Sequence, residues 1–281
     1  MKKEMIIKDF LNSGKTLVMP NAYDPISAKI IEHVGFNAVQ CTGYGMSIEL
    51  CKKSEFEIDL AKNLNMTKEI VNAVTIPVMA DGEDGYGEGD CLGNVIKQFI
   101  DIGVVGINIE DQNHKLIHNG LKIIDENIMI DKLKTVIKTK KEKGKHNFIV
   151  NARTDAILSK TDRKEGLKIA IERANAYLEV GSDLCFIPYV KTYEEVKILS
   201  KEINGPISIA AGLPYNIKEF SINDCIELGV ARVSLPSFLI FSSIEGMINN
   251  IKKIKQTGNF SEITKESSLL WDANMIKNIL N

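Results

Sequence analysis

Eight short apolar runs, each followed by a longer amphipathic stretch, set the tightest limit on what this chain can fold into. The runs at 16–21, 38–43, 77–81, 106–111, 148–153, 184–190, 206–211 and 231–236 are rich in Val and Ile, and most are bounded by Gly, Pro or Asn. That is the composition and punctuation of strands. Between them the spacing predicts helices over 25–34, 59–74, 92–102, 127–143, 164–180, 193–203 and 223–228. Several of these patterns stop at a glycine (Gly35, Gly103, Gly144, Gly181, Gly229), the residue that most readily takes a left-handed C-cap.

Strands that are apolar almost throughout belong to a parallel sheet covered on its outer side. Eight strand–helix units favour a closed α/β barrel, the (β/α)8 TIM barrel, over an open doubly wound sheet. The Gly-x-Gly-x-x-Gly turn of a dinucleotide site is also missing after the first strand. Such barrels commonly take about 250 residues, so one domain over 1–281 is expected. Past the eighth strand, 238–255 reads as a long helix, Gly258-Asn259 interrupts it, and 263–279 carries the only tryptophan, Trp271. The C-terminal helices, 237–281, are expected either to close the barrel floor or to dock on another subunit, which points to a homo-oligomer.

Charge and cysteine usage narrow the function classes. A net charge of −2 argues against a nucleic-acid binder, which needs a basic face. No apolar run approaches the roughly 20 residues of a membrane span, and no secretory pattern follows Met1. The five cysteines are widely spaced, with no Cys-x-x-Cys pair. A reduced, cytoplasmic protein is the expectation.

In a barrel of this kind chemistry sits at the C-terminal ends of the strands, and polar residues gather there. The third strand runs into Asp81-Gly82-Glu83-Asp84-Gly85-Tyr86-Gly87. Asp81 and Glu83, two apart, are expected on one face, offering two hard oxygen ligands. Asn108 and Glu110 share a face in the same way. Asp81, Glu83 and Glu110 are therefore candidate ligands of one hard cation, Mg2+ with Mn2+ as the alternative. A cation of that kind polarises a carbonyl and stabilises an enolate. Arg153 adds a planar cationic fork for a carboxylate or phosphate, and Thr42-Gly43-Tyr44 offers a hydroxyl and backbone N–H groups as an anion cradle. Together these describe a site for a small dianion with a carbonyl, such as a 2-oxo acid. Asp24, Asp84, Asp111 and Asp155 also read as helix caps or turn formers, and Arg153 with Glu110 as a buried ion pair.

Asn21-Ala22-Tyr23-Asp24, Thr42-Gly43-Tyr44-Gly45, Ala80 to Gly87, Ile109-Glu110-Asp111, Asn151-Ala152-Arg153-Thr154-Asp155 and Glu227 to Ser234 resemble the motifs of the isocitrate lyase/phosphoenolpyruvate mutase superfamily. The resemblance implies a Mg2+-dependent barrel, a homotetramer of dimers that exchange their last barrel helix. It implies that Tyr23, Thr42, Gly43, Tyr44, Asp81 and Arg153 bind substrate. Asp81 would be the direct metal ligand, with Glu83 and Glu110 acting through water. The shared step would be formation or collapse of a metal-held enolate of a 2-oxo acid or phosphonate. Lyases of the superfamily carry a cysteine in the loop after the fourth strand, whereas Gln112 to Gly120 has none. His114, Lys115, His118 and Asn119 lie there instead and are candidate catalytic residues beside Arg153 and Glu110. Glu83 stands where aspartate is more common, and Ser54 where an aspartate is usual. Three readings follow: a mutase, hydrolase or decarboxylase type; a carbon–carbon lyase with a non-cysteine acid; or a binding barrel without turnover.

Overall fold

The structure, a computed structural model, describes residues 3–112, 123–265 and 273–280. Its centre is a closed barrel of eight parallel strands in sequence order: β1 (Leu17–Ala22), β2 (Val39–Cys41), β3 (Val78–Asp81), β4 (Gly106–Glu110), β5 (Ile149–Arg153), β6 (Leu184–Ile187), β7 (Ile207–Ala210) and β8 (Arg232–Leu235). Outside it lie α2 (Pro25–Val34), α3 (Gly43–Glu49), α4 (Leu60–Ala73), α5 (Gly89–Asp101), α6 (Glu126–Glu142), α7 (Arg163–Glu179), α8 (Tyr193–Glu202), α9 (Ile222–Glu227) and α10 (Phe238–Thr257). The chain starts with α1 (Lys3–Ser13), and short helices α11 (Ser261–Thr264) and α12 (Ala273–Leu280) follow α10. The (β/α)8 expectation is met.

Local chemistry explains the boundaries. At α2, Asp24 accepts the Ser27 amide in a capping box, Pro25 opens the first turn, and Gly35 at φ 96° closes the last. Helix α5 buries Leu92, Val95, Ile96, Phe99 and Ile100 on one face, at the helical spacing that seals it to the sheet. Strands β2, β4, β6, β7 and β8 end one to three residues earlier than their apolar runs, because the last residues of those runs turn into the loop above. Residues 42–43 are the clearest case: they become the N-cap and first turn of α3, a helix that the pattern does not announce.

Pairing is staggered, as barrel closure requires. Glu110 at the top of β4 is level with Arg153, then with Phe186 on β6, Ser208 on β7 and Arg232 at the start of β8. One hydrogen-bonded row therefore descends from the mouth to the lower interior. The floor is closed by α1, whose Ile7, Phe10 and Leu11 pack with Leu17, Met19, Met79, Ile149 and Leu184. Of the two places expected for the C-terminal helices, the barrel floor is not the one the described residues take: α10 lies against β1 and α3, and α12 against α2. Trp271 lies outside the described residues. Among those described, no helix is long and apolar enough to cross a membrane.

Candidate active site

The mouth above the C-terminal strand ends opens on a cavity of about 690 Å3. Thr42, Tyr44, Asp81, Asn108 and Arg153 line one side, with Lys53, Ser54 and Glu55 from the loop after α3. Phe186, Pro188, Tyr189, Leu213 and Tyr215 are among those opposite.

Glu83 reaches this group by a route other than strand alternation. Strand β3 ends at Asp81, and Glu83 takes a left-handed backbone, φ 50°, which is uncommon away from glycine and worth explaining by the site. Gly82 between them passes so close to β4 that a Cβ would stand 2.6 Å from the Asn108 carbonyl. Glu83 is 3% exposed, and neither carboxylate oxygen has a hydrogen-bond partner; the same holds for Asp81 Oδ1. Burial, and then the nearby Asp81, Glu55 and Glu110, push the Glu83 carboxyl well above the usual carboxylate range.

The expected anion cradle is already engaged within the chain. The Thr42 amide donates to the Ala22 carbonyl, and the Thr42 hydroxyl caps α3 by accepting the Gly45 amide at 3.2 Å. The Gly43 amide donates to Asp81 Oδ2 at 3.1 Å. The cradle therefore positions Asp81 first. Tyr44 is exposed, its ring edge-on to Phe241 at 6.3 Å. Tyr23 is not among the residues that line the cavity: it is buried behind Gly45, and its hydroxyl bonds Ser243.

Arg153 is an ion-pair centre. Its Nη1 lies 2.6 Å from Glu110 Oε2, while Nε and Nη2 donate to the two Asp155 oxygens at 2.9 and 3.1 Å. Burial works against its charge, but Asp155 and Glu110 hold the guanidinium well above its ordinary range. The ion-pair reading of Arg153 and Glu110 is therefore correct geometrically, and Arg153 of the pair still lines the cavity. Asp155, read as a possible cap, instead orients Arg153 and accepts from Gln112 at 2.9 Å. Asp111 sits one layer out, accepting from Thr154, Arg173, Tyr177 and the Asp155 amide. His114, Lys115, His118 and Asn119 lie outside the described residues.

Glu55 is the residue that sequence reasoning missed. It opens a short 3-10 turn, Glu55–Glu57, capped by Ser54. The residue as a whole is half-buried, yet its carboxyl lies deep among Arg153, Glu110, Asp81 and Asp155. Burial raises it to about 7, against the pull of Arg153. A polar run, Lys52-Lys53-Ser54-Glu55, gives no sign of this. Beneath the site Arg232, 1% exposed, donates to Gln40 Oε1 at 2.6 Å and Ser208 Oγ at 2.9 Å, and Gln40 in turn donates to the Cys41 and Ala80 carbonyls. The Phe186 ring lies between Arg153 and Arg232, with each guanidinium 5.8 Å from its centroid.

The donor set suits a hard cation that keeps much of its water. Among the described residues no three His, Cys, Asp or Glu side chains form a complete metal cage. Asp81 Oδ1 and both Glu83 oxygens nonetheless stand unpartnered in a buried acidic cluster that Arg153 only partly neutralises. Mg2+ typically binds through one or two carboxylates with several waters retained, which these residues fit.

Fold and site together define a (β/α)8 barrel with an acid-lined mouth of the kind that hosts enzyme chemistry. The chain belongs to the phosphoenolpyruvate phosphomutase family, whose model matches residues 7–255. It is 32% identical to 2,3-dimethylmalate lyase of Eubacterium barkeri over 71% of this chain and 68% of that protein. It is 24% identical to phosphonopyruvate hydrolase of Variovorax sp. (strain Pal2) over 94% and 90%. In structure it resembles a phosphonopyruvate hydrolase solved with oxalate and Mg2+, with TM-score 0.86 and 22% identity over 99% and 95% of the two chains.

Proposed function

We propose that this chain is a Mg2+-dependent enzyme that makes or breaks a bond beside the carbonyl of a small 2-oxo acid, by way of an enolate. The observation that carries the reading is the set of unpartnered oxygens on Asp81 and Glu83, held against Gly43 and flanked by the Glu110–Arg153 pair. Asp81 would hold the ion, and Glu83 and Glu110 would accept hydrogen bonds from its water. The ion supplies Lewis-acid stabilisation of charge developing on the carbonyl oxygen. Arg153, fixed by Asp155, would bind the substrate carboxylate from the same side of the mouth as Asp81. Tyr44 and Thr42 fence the entrance. His114 or His118 remains the proposed source of the proton that moves at the scissile bond, with Lys115 and Asn119 as candidate catalytic residues beside them.

Among bonds that such an enolate can release, one observation favours the carbon–carbon bond over the carbon–phosphorus bond. The cavity wall from β6, β7 and β8 carries no charged side chain among the described residues, so a phosphonyl group would meet no cation there. A cytoplasmic homotetramer, a dimer of dimers, completes the reading; the five free cysteines and the exposed Ile248, Ile251 and Phe260 are consistent with a reduced compartment and with subunit contacts.

The test is titration of oxalate, which mimics the enolate, into the protein with and without Mg2+, followed by assays on substituted malates and on phosphonopyruvate. Mg2+-dependent binding that disappears in Asp81→Ala is expected. Oxalate binding indifferent to Mg2+ would overturn the assignment.

A further inference from the structure

The half of the cavity facing away from the acidic cluster is built, rigid and uncharged. At its centre is Tyr189, just past β6, with φ 65°, an uncommon backbone for a bulky residue and a genuine outlier. Its surroundings hold it there. The Tyr189 carbonyl accepts from Arg163 Nη2 at 2.7 Å, and Arg163 is itself clamped by both Glu195 oxygens at 2.6 and 2.7 Å. The Tyr189 amide donates to the Tyr215 hydroxyl, and the two rings lie 6.3 Å apart, tilted by 36°. Three elements thus fix one strained residue, which is the pattern found where a structure prepares a ligand contact. Leu213 and Phe186 complete the wall with apolar carbon. Burial holds both phenols above their ordinary range, Tyr215 at about 12, so the wall stays neutral at physiological pH.

Size points the same way. Even at the roughly 30 Å3 claimed by one water molecule, a six-atom 2-oxo acid would fill about a quarter of the cavity volume of about 690 Å3. The charged groups that line the cavity, Lys53, Glu55, Asp81 and Arg153, are all on the β2–β5 side; Asn21, Ser234 and Ser237 add only neutral polar groups from β1 and β8.

We infer that the β6–β7 wall of Phe186, Tyr189, Leu213 and Tyr215 is a specificity pocket for an apolar substituent of the substrate, a branched alkyl or aryl arm carried beyond the reacting carbon. The inference rests on the function proposed above, since it needs the 2-oxo acid end held at Asp81 and Arg153. A substrate whose far end is a second carboxylate or a phosphonyl group would meet no cation on this wall, only apolar carbon and the neutral Tyr189 and Tyr215 hydroxyls, which offset part of the cost of burying its charge.

The experiment measures binding by calorimetry to the full chain with Mg2+. The probes are oxalate, N-methyloxamate, N-isobutyloxamate and N-oxalylglycine, which share one anchor and differ only in the arm. N-isobutyloxamate is expected to bind about tenfold more tightly than N-methyloxamate, and N-oxalylglycine more weakly than either. In Leu213→Ser and, separately, Tyr215→Ser, the ratio between the isobutyl and methyl compounds is expected to fall toward one. Equal affinities across the arms, or a preference for N-oxalylglycine, would overturn the inference while leaving Mg2+-dependent oxalate binding and the proposed function intact. Failure of oxalate itself to bind with Mg2+ would overturn both.

Discussion

Glu83 occupies the space that a side chain on Gly43 would need: a Cβ at position 43 would stand 1.8 Å from Glu83 Oε1. The glycine is thus one wall of the acidic cluster, and its amide holds the neighbouring Asp81. Gly43→Ala is expected to displace Glu83 and weaken Mg2+-dependent oxalate binding at least tenfold, about 1.4 kcal/mol, while far-UV circular dichroism stays that of the parent. Calorimetry reads the affinity, and undiminished binding would refute the arrangement.

Glu55 makes the metal-free protein sensitive to alkali. Its folded value, about 7, lies above the ordinary carboxylate value of 4.5, so the stability it contributes is present at low pH and is lost as pH rises through about 7. In chelator, the melting temperature is expected to fall between about pH 5 and pH 8, and Glu55→Gln to flatten part of that slope. Scanning calorimetry across this range decides it; an identical slope in the variant would mean that the Glu55 carboxyl is not among the crowded acids.

Acid is expected to loosen the opposite wall. Burial raises the Glu195 carboxyl, but the Arg163 hydrogen bonds and the Lys191 amide outweigh it, leaving the group below its ordinary value. Stability from this pair is therefore present above about pH 4.5 and is lost as pH falls below it. Glu195→Gln is expected to reduce the acid-induced drop in melting temperature, and Arg163→Ala to weaken N-isobutyloxamate binding by releasing Tyr189.

Gln40 carries more structural weight than its place inside a strand suggests. It accepts from Arg232 and donates to two strand carbonyls, all in the barrel interior. Gln40→Leu would leave a buried guanidinium short of an acceptor, at a cost of about 3 kcal/mol, which urea unfolding can measure. A loss below about 1 kcal/mol would show that the arginine finds another partner.

The barrel is legible in the chain because buried parallel strands must be apolar on both faces, so each shows as a run whatever its neighbours. Helix α1 escapes that test: only Ile7, Phe10 and Leu11 mark its buried face, set among lysines and acids. The charged strand ends, Asp81, Glu110 and Arg153, are equally legible, since charge has few structural reasons to end a buried strand. Two things are not. Glu55 is an ordinary surface residue by its neighbours and becomes part of the site only when the loop after α3 folds over the mouth. Tyr189 and Tyr215 belong to different strand–helix units, and nothing local links them. The Thr42 cap could have been read, because Thr-x-x-Gly at a helix start satisfies the first turn and withdraws those groups from ligand binding.

Arg232 enters the chain in the last barrel strand, yet its guanidinium steadies Gln40, which braces the ends of β2 and β3 beneath Asp81. During synthesis, the ligands made early therefore wait for a residue made late. Until β8 has emerged from the ribosome and closed the seam against β1, the growing chain holds the acids without the brace that aims them. A half-made barrel of this sequence should be inert toward metal and substrate alike.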